Sequence, residues 1–321
     1  MRCPNCDHNQ QRKDGMVCGQ CGYPFALDPK QSPNIADRRF ARAVAKVSDD
    51  GTRWFSLEQL HGQLAKRLPG PAQAMIGAVV LGAIVAVFGI GFVAEADRFE
   101  TITGAVLTFV VASAAIGIVA VGWRLARRPP PLERTSQLVA RWQAAGKPLD
   151  RLLQQPGLER PPPAAPERDI FDYGAEAVLI VDDDLAVDLL VANGFARTNR
   201  CLVVSTSGYP SRVAEHAAAL LAAAPATPAG VVHASGNIGA LGEATARYGP
   251  GVVDLGLSTD TVRNLAALRW ARREASVPVR ALPHRVLAAA LPVALTTRTS
   301  VGDLFAAAHR GELDADVGDF G

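Results

Sequence analysis

Apolar positions along this chain change spacing from segment to segment. Over residues 34–67 they recur at helical intervals: Ile35, Phe40, Val44 and Val47 share one face, and Asp49-Asp50-Gly51 interrupts it as a turn. Ser56 and Gln59 then form an N-cap and capping box that opens a second helix through Leu57, Leu60 and Leu64. Segments 72–94 and 101–123 are two runs of 23 residues without a charge. Each is long enough at 1.5 Å per residue to cross a hydrocarbon core of about 30 Å, and each predicts a transmembrane helix. From Ala175 onward, short apolar runs (177–181, 201–205, 230–234 and 252–255) alternate with alanine-rich stretches of helical length (185–196, 211–223 and 238–248). That alternation predicts a parallel sheet covered by helices.

Charge around the two uncharged runs sets an orientation. Lys66 and Arg67 precede the first, Arg124, Arg127 and Arg128 follow the second, and the short connection 95–100 holds three acids and one arginine. The positive-inside rule then places both termini in the cytoplasm of a bacterial-type inner membrane. Ala74, Ala78, Gly82 and Ala86 form a small-residue seam suited to close helix approach. No ionisable residue interrupts either run, so the expectation is an anchor in the lipid bilayer and not an ion pathway. The mean hydropathy of +0.12 agrees with that reading. A net charge of only +2, from 33 basic and 31 acidic residues, supplies no global basic field, and nucleic acid is unsupported as a partner.

Four of the five cysteines lie in the first 21 residues, as Cys3-Pro-Asn-Cys6 and Cys18-Gly-Gln-Cys21. Two Cys-x-x-Cys pairs separated by 11 residues present four thiolates to one tetrahedral ion. The motif resembles the zinc-ribbon family and implies a closed, structural zinc site, with Tyr23 and Phe25 placed to cover it. The competing reading is a redox dithiol, but the βαβ context of such a motif is missing here. His8 reads as a loop histidine. Arg38, Arg39, Arg42, Lys46 and Arg53 cluster near the first helix, and the simplest reading of them is a solvated face.

Ligands of parallel sheets bind at the carboxyl ends of strands, which here carry Asp182-Asp183-Asp184, Ser205-Thr206-Ser207-Gly208 and His233-Ala234-Ser235-Gly236. A receiver domain would need a second strand-end aspartate and a later lysine, yet no Asp occurs between Asp188 and Asp254 and no lysine follows Lys147. A P-loop fails for the same missing lysine. No Gly-x-Ser-x-Gly elbow is present for a serine hydrolase.

The succession Val178 to Asp182, Leu189 to Phe195, Cys201 to Ser205, Gly208-Tyr209-Pro210, the turn Gly236 to Gly239 and Leu255-Gly256-Leu257 resembles the Toprim domain. The form it is similar to is that of the DNA-cleaving subunit of topoisomerase VI and its meiotic relatives. The resemblance covers 176–257 and implies a Rossmann-like sheet of about four parallel strands. It also implies a magnesium site built from a Glu and an Asp-x-Asp. Here Asp182 stands for the Glu, and His233 with Ser235 stands for the Asp-x-Asp. Such a shell is expected to hold magnesium poorly.

The expected architecture is therefore multi-domain: a zinc ribbon over 1–28, a helical spacer over 29–68, transmembrane helices at 72–94 and 101–123, a helical and proline-rich linker over 124–167, and a Toprim-like α/β domain over 168–321. The expected work is binding or scaffolding with another protein or a second copy of the chain. The metal ligands are Cys3, Cys6, Cys18 and Cys21. Two other readings stay open. One is a metal-dependent nuclease or phosphotransferase using the Asp182 to Asp184 cluster with His233. The other is a nucleotide sensor whose turns at Ser207, Gly208, Ser235 and Gly236 cradle phosphate through backbone amides.

Overall fold

The computed structural model describes residues 1–31, 33–65, 131–158, 174–260, 266–271, 274 and 276–309, with positions 82, 110, 113 and 116–121 between them. The chain divides into two compact units, Met1–Lys66 with Leu132–Gly321, and Arg67–Pro131.

Helices α1 (Asp37–Val47) and α2 (Leu57–Ala65) take the spacing of their apolar residues. The capping box at the start of α2 forms as a reciprocal pair: the Ser56 amide donates to Gln59 Oε1 and the Gln59 amide to Ser56 Oγ, each at 3.2 Å. Helix α3 (Leu132–Ala144) buries Leu138, Val139 and Trp142, and Trp142 meets Phe40 of α1 at 4.8 Å between ring centres. A two-residue strand β1 (Phe55–Ser56) pairs in parallel with β2 (Leu152–Leu153).

The main sheet contains β3 (Ala177–Val181), β4 (Cys201–Ser205), β5 (Ala229–Val232) and β6 (Val253–Asp254), all parallel, in the spatial order β4-β3-β5-β6. Its strands are apolar on both faces because both faces are covered. Val178, Ile180, Leu202 and Val204 pack with α6 (Ser211–Ala223) and α7 (Ala240–Tyr248), while Leu179, Val181 and Val203 pack with α4 (Asp184–Ala192) and α8 (His284–Thr297). The helical run expected over 185–196 breaks at Gly194, whose φ of +79° separates α4 from the short α5 (Phe195–Thr198). Helix α9 (Val301–His309) follows α8. Because α4 leaves β3 on one face and α7 leaves β5 on the other, the switch point of the sheet lies between β3 and β5.

The expectation of two transmembrane helices needs correction. Segments 72–94 and 101–123 lie largely outside the described residues, and among the described residues no helix is long and apolar enough to cross a membrane. The physical reason is reach. The longest described helix, α8, has 14 residues, about 21 Å at 1.5 Å per residue against a hydrocarbon core of about 30 Å. The two-pass inner-membrane placement, with both termini in the cytoplasm, derived from those spans and falls with them. The described architecture is a four-cysteine N-terminal module, packed helices and small parallel sheets.

Candidate functional site

The two cysteine pairs fold as near repeats of one turn. The Cys3 amide donates to the His8 carbonyl at 2.9 Å and the Cys18 amide to the Tyr23 carbonyl at 2.8 Å; within these turns Asp7 N donates to Cys3 O and Gly22 N to Cys18 O. Asp7 and Gly22 occupy the same step of each turn and share positive φ, 64° and 72°. Each turn aims its two sulfurs inward. The ligand atoms of Cys3, Cys6, Cys18 and Cys21 all lie within 4.8 Å of one another, with Cys3 to Cys21 and Cys6 to Cys18 at 3.6 Å. Four cysteines so placed can hold a metal ion.

The electrostatics of the cluster call for a cation. The Tyr23 amide pulls the Cys21 thiol down to about 6. The His8 amide also favours the Cys6 thiolate, but burial and the crowding sulfurs of Cys21, Cys18 and Cys3 outweigh it and push that thiol up to about 12. Four thiolates at this spacing cannot all ionise unless positive charge stands among them. Phe25 packs on Cys3 and Cys18, and Tyr23 lies against the cluster, edge-on to Phe25 at 5.5 Å. His8 is exposed.

Residues that sequence reading passed over fix this module in place. Buried Gln10 donates to the Gly15 and Val17 carbonyls and accepts from the Gly19 amide, bracketing the second turn. Fully buried Asp37 accepts from Tyr23 Oη and the Ala26 and Leu27 amides at 2.8 to 3.0 Å, and pairs with Lys147 Nζ at 2.7 Å. That ammonium also lies over the Tyr23 ring, 3.7 Å from its centre. The sequence signal for Lys147 is its being the last lysine of the chain, which says nothing of its partner 110 positions away.

The strand ends of the main sheet hold the other candidates. Asp182 closes the switch-point crevice: its Oδ2 accepts from the Ala234 amide and from Asn237 Nδ2, both at 2.8 Å. Its Oδ1 is buried with no hydrogen-bond partner among the described residues. Asp183 caps α4 through the Leu185 amide and pairs with Arg280, which also binds Glu58 at 2.9 Å. Burial pushes the Asp183 carboxyl up, against the pull of Arg280. Asp184 accepts from Ser207 Oγ at 2.8 Å, and Ser207 meets Ser205 Oγ at 2.6 Å. His233 turns away from Asp182, with Nε2 3.1 Å from Asp254 Oδ1 and Nδ1 2.8 Å from the Ala234 carbonyl. Its ring lies across Gly256, where a Cβ would collide with it. Ser235 pairs with the Val277 backbone through both its amide and its hydroxyl.

Asp182, Asp184, His233 and Ser235 thus bond in four different directions. Among the described residues the four cysteines are the one set of three or more His, Cys, Asp or Glu side chains able to share an ion. At the other turns, Gly208 has φ +91° and packs under the Arg247 guanidinium, and Gly236 has φ +89°. A phosphate on the Ser207 turn would meet the Asp184 carboxylate. Tyr209 of the Gly-Tyr-Pro run donates to Asp188 Oδ1 at 2.7 Å and accepts from the Leu158 amide at 2.6 Å, while Asp188 Oδ2 accepts from the Gly157 amide at 2.5 Å. Asp254, Asn237 and Arg280 escaped sequence reading because their partners are distant in the chain. Only Asp254, ending the last strand, had a positional signal.

Comparison of the chain with known protein families, with curated proteins and with solved structures gives no match.

Proposed function

We propose that this protein binds or scaffolds another protein, using a structural zinc ribbon fastened to an α/β body that performs no metal-dependent chemistry. Zinc fits the N-terminal cluster by donor chemistry. Cys3, Cys6, Cys18 and Cys21 would fill a tetrahedral shell and leave no position open for water, so the ion supplies folding energy and not catalysis. A module of fewer than 30 residues has too small a core to fold on apolar burial alone.

The observation that carries the non-enzymatic reading is the divergence of Asp182 and His233. The acid is committed to the Ala234 amide and Asn237, the imidazole to Asp254. A degenerate Toprim-like identity for 168–321 belongs to this proposal; four parallel strands and the position of Gly208-Tyr209-Pro210 after β4 support it. The test is incubation of the purified full chain with plasmid and single-stranded DNA in magnesium or manganese. No cleavage, and no saturable heat on titrating magnesium, are the expected results. Metal-dependent cleavage abolished by Asp182→Ala would overturn the reading in favour of a nuclease.

A further inference from the structure

A second site, independent of the cysteines and of the strand ends, lies where the end of α1 and the turn after it, the middle of α2 and the start of α8 meet. A groove of about 210 Å³ opens there, with Lys46, Asp49, Arg53, Gln63, His284 and Arg285 on its walls. Three cations and one acid face it. Asp49 is already committed to Arg53, Oδ2 to Nε at 3.1 Å. Arg53 also meets His284 through Nη1 and Nε2. Burial, with the Arg53 charge beside it, drives the His284 imidazole down to about 4, so at neutral pH the ring is an uncharged acceptor that orients the guanidinium. Among the described residues no acid pairs with Lys46 or Arg285, and both side chains are exposed at the rim. The floor adds a weaker contribution of the same sign. Helix α8 starts after Pro283, which offers no capping side chain, and its first residues His284 and Arg285 line the groove, so the positive end of the helix dipole lies at this wall.

The groove therefore keeps a net positive charge, from Lys46 and Arg285, beside an Arg53 already ordered by Asp49 and His284, and that ordering lowers the cost of engaging its remaining N–H donors on a ligand. We propose that this groove binds a phosphate group, with Arg53 and Arg285 as guanidinium forks and Lys46 as a point charge. Its volume is below the roughly 300 Å³ where pockets for drug-sized ligands begin. That suits inorganic phosphate or a small phosphate ester and not a dinucleotide.

The probe is inorganic phosphate, titrated into the full chain at low ionic strength and followed by calorimetry and by thermal unfolding. The expected result is saturable binding that raises the melting temperature with phosphate concentration and weakens as sodium chloride is added. Lys46→Ala with Arg285→Ala, both at exposed positions, is expected to weaken binding at least tenfold while the far-ultraviolet circular dichroism stays that of the parent. Arg53→Gln is expected to abolish it. Absence of binding at millimolar phosphate, or equal affinity in the folded Lys46→Ala/Arg285→Ala chain, overturns the assignment. Zinc content is unchanged in every arm, so the outcome is separable from the ribbon.

Discussion

Lys147 Nζ sits 2.7 Å from Asp37 Oδ2, with the carboxylate fully buried and the ammonium 14% exposed. Through this contact the stretch after α3 locks the start of α1 to the cysteine module, because Asp37 also gathers the Tyr23 hydroxyl and two amides of the segment between them. Removing the cation leaves a desolvated charge held by neutral donors. Lys147→Met is expected to cost about 3 kcal/mol in urea unfolding of the full chain, by the usual penalty for breaking one side of a buried pair. Asp37→Asn/Lys147→Met, which removes both charges, should recover part of that loss.

Gly256 and His233 give a test of packing at the strand ends. A methyl group at 256 would occupy the space of the imidazole, so Gly256→Ala is expected to destabilise the fold by about 1 to 3 kcal/mol. His233→Ala opens that space. The double variant should be more stable than the two single losses predict, and a double-mutant cycle measured by chemical denaturation reads the coupling.

Tyr209 ties three segments with one hydroxyl. Tyr209→Phe removes the donor to buried Asp188 Oδ1 and the acceptor of the Leu158 amide, for an expected loss of about 1 to 3 kcal/mol, measured by thermal unfolding. Asp188 already has its carboxyl pushed up by burial against the opposing pull of Tyr209. Loss of the hydroxyl should push it up further.

The His284 imidazole carries a pH signature. Its value near 4 lies below the ordinary 6.5 because burial and Arg53 disfavour the charged ring. The unfolded chain therefore binds this proton more readily than the folded one. The stabilisation is complete above pH 6.5 and is lost as pH falls towards 4. The shift caps the effect at about 3 kcal/mol, reduced because the ring is only partly buried. Parent and His284→Gln chains, unfolded in urea at pH 7 and pH 4.5, should differ in this slope, with the variant losing less on acidification.

The sheet and the metal cluster are legible in the sequence for different reasons. The strands are apolar on both faces and short, so Ala177–Val181 and Cys201–Ser205 stand out as runs, whereas the spatial order β4-β3-β5-β6 leaves no mark in them. Four cysteines at paired spacing announce their chemistry without tertiary context. The partners of polar side chains are not legible. Arg280 reaching Glu58, 222 positions away, leaves no local pattern, and neither does the commitment of Asp182 to a turn 52 residues later. The uncharged runs at 72–94 and 101–123 read as membrane on hydropathy alone, whereas among the described residues no helix is long and apolar enough to cross one.

A structural ion at the N-terminus is what the four cysteines are placed to hold. Elemental analysis of the purified full chain, after exhaustive dialysis, measures it. One zinc per chain is expected, lost together with the folded N-terminus in Cys3→Ser/Cys18→Ser. A chain that carries no zinc and keeps its fold, or one whose zinc survives that double substitution, would contradict it.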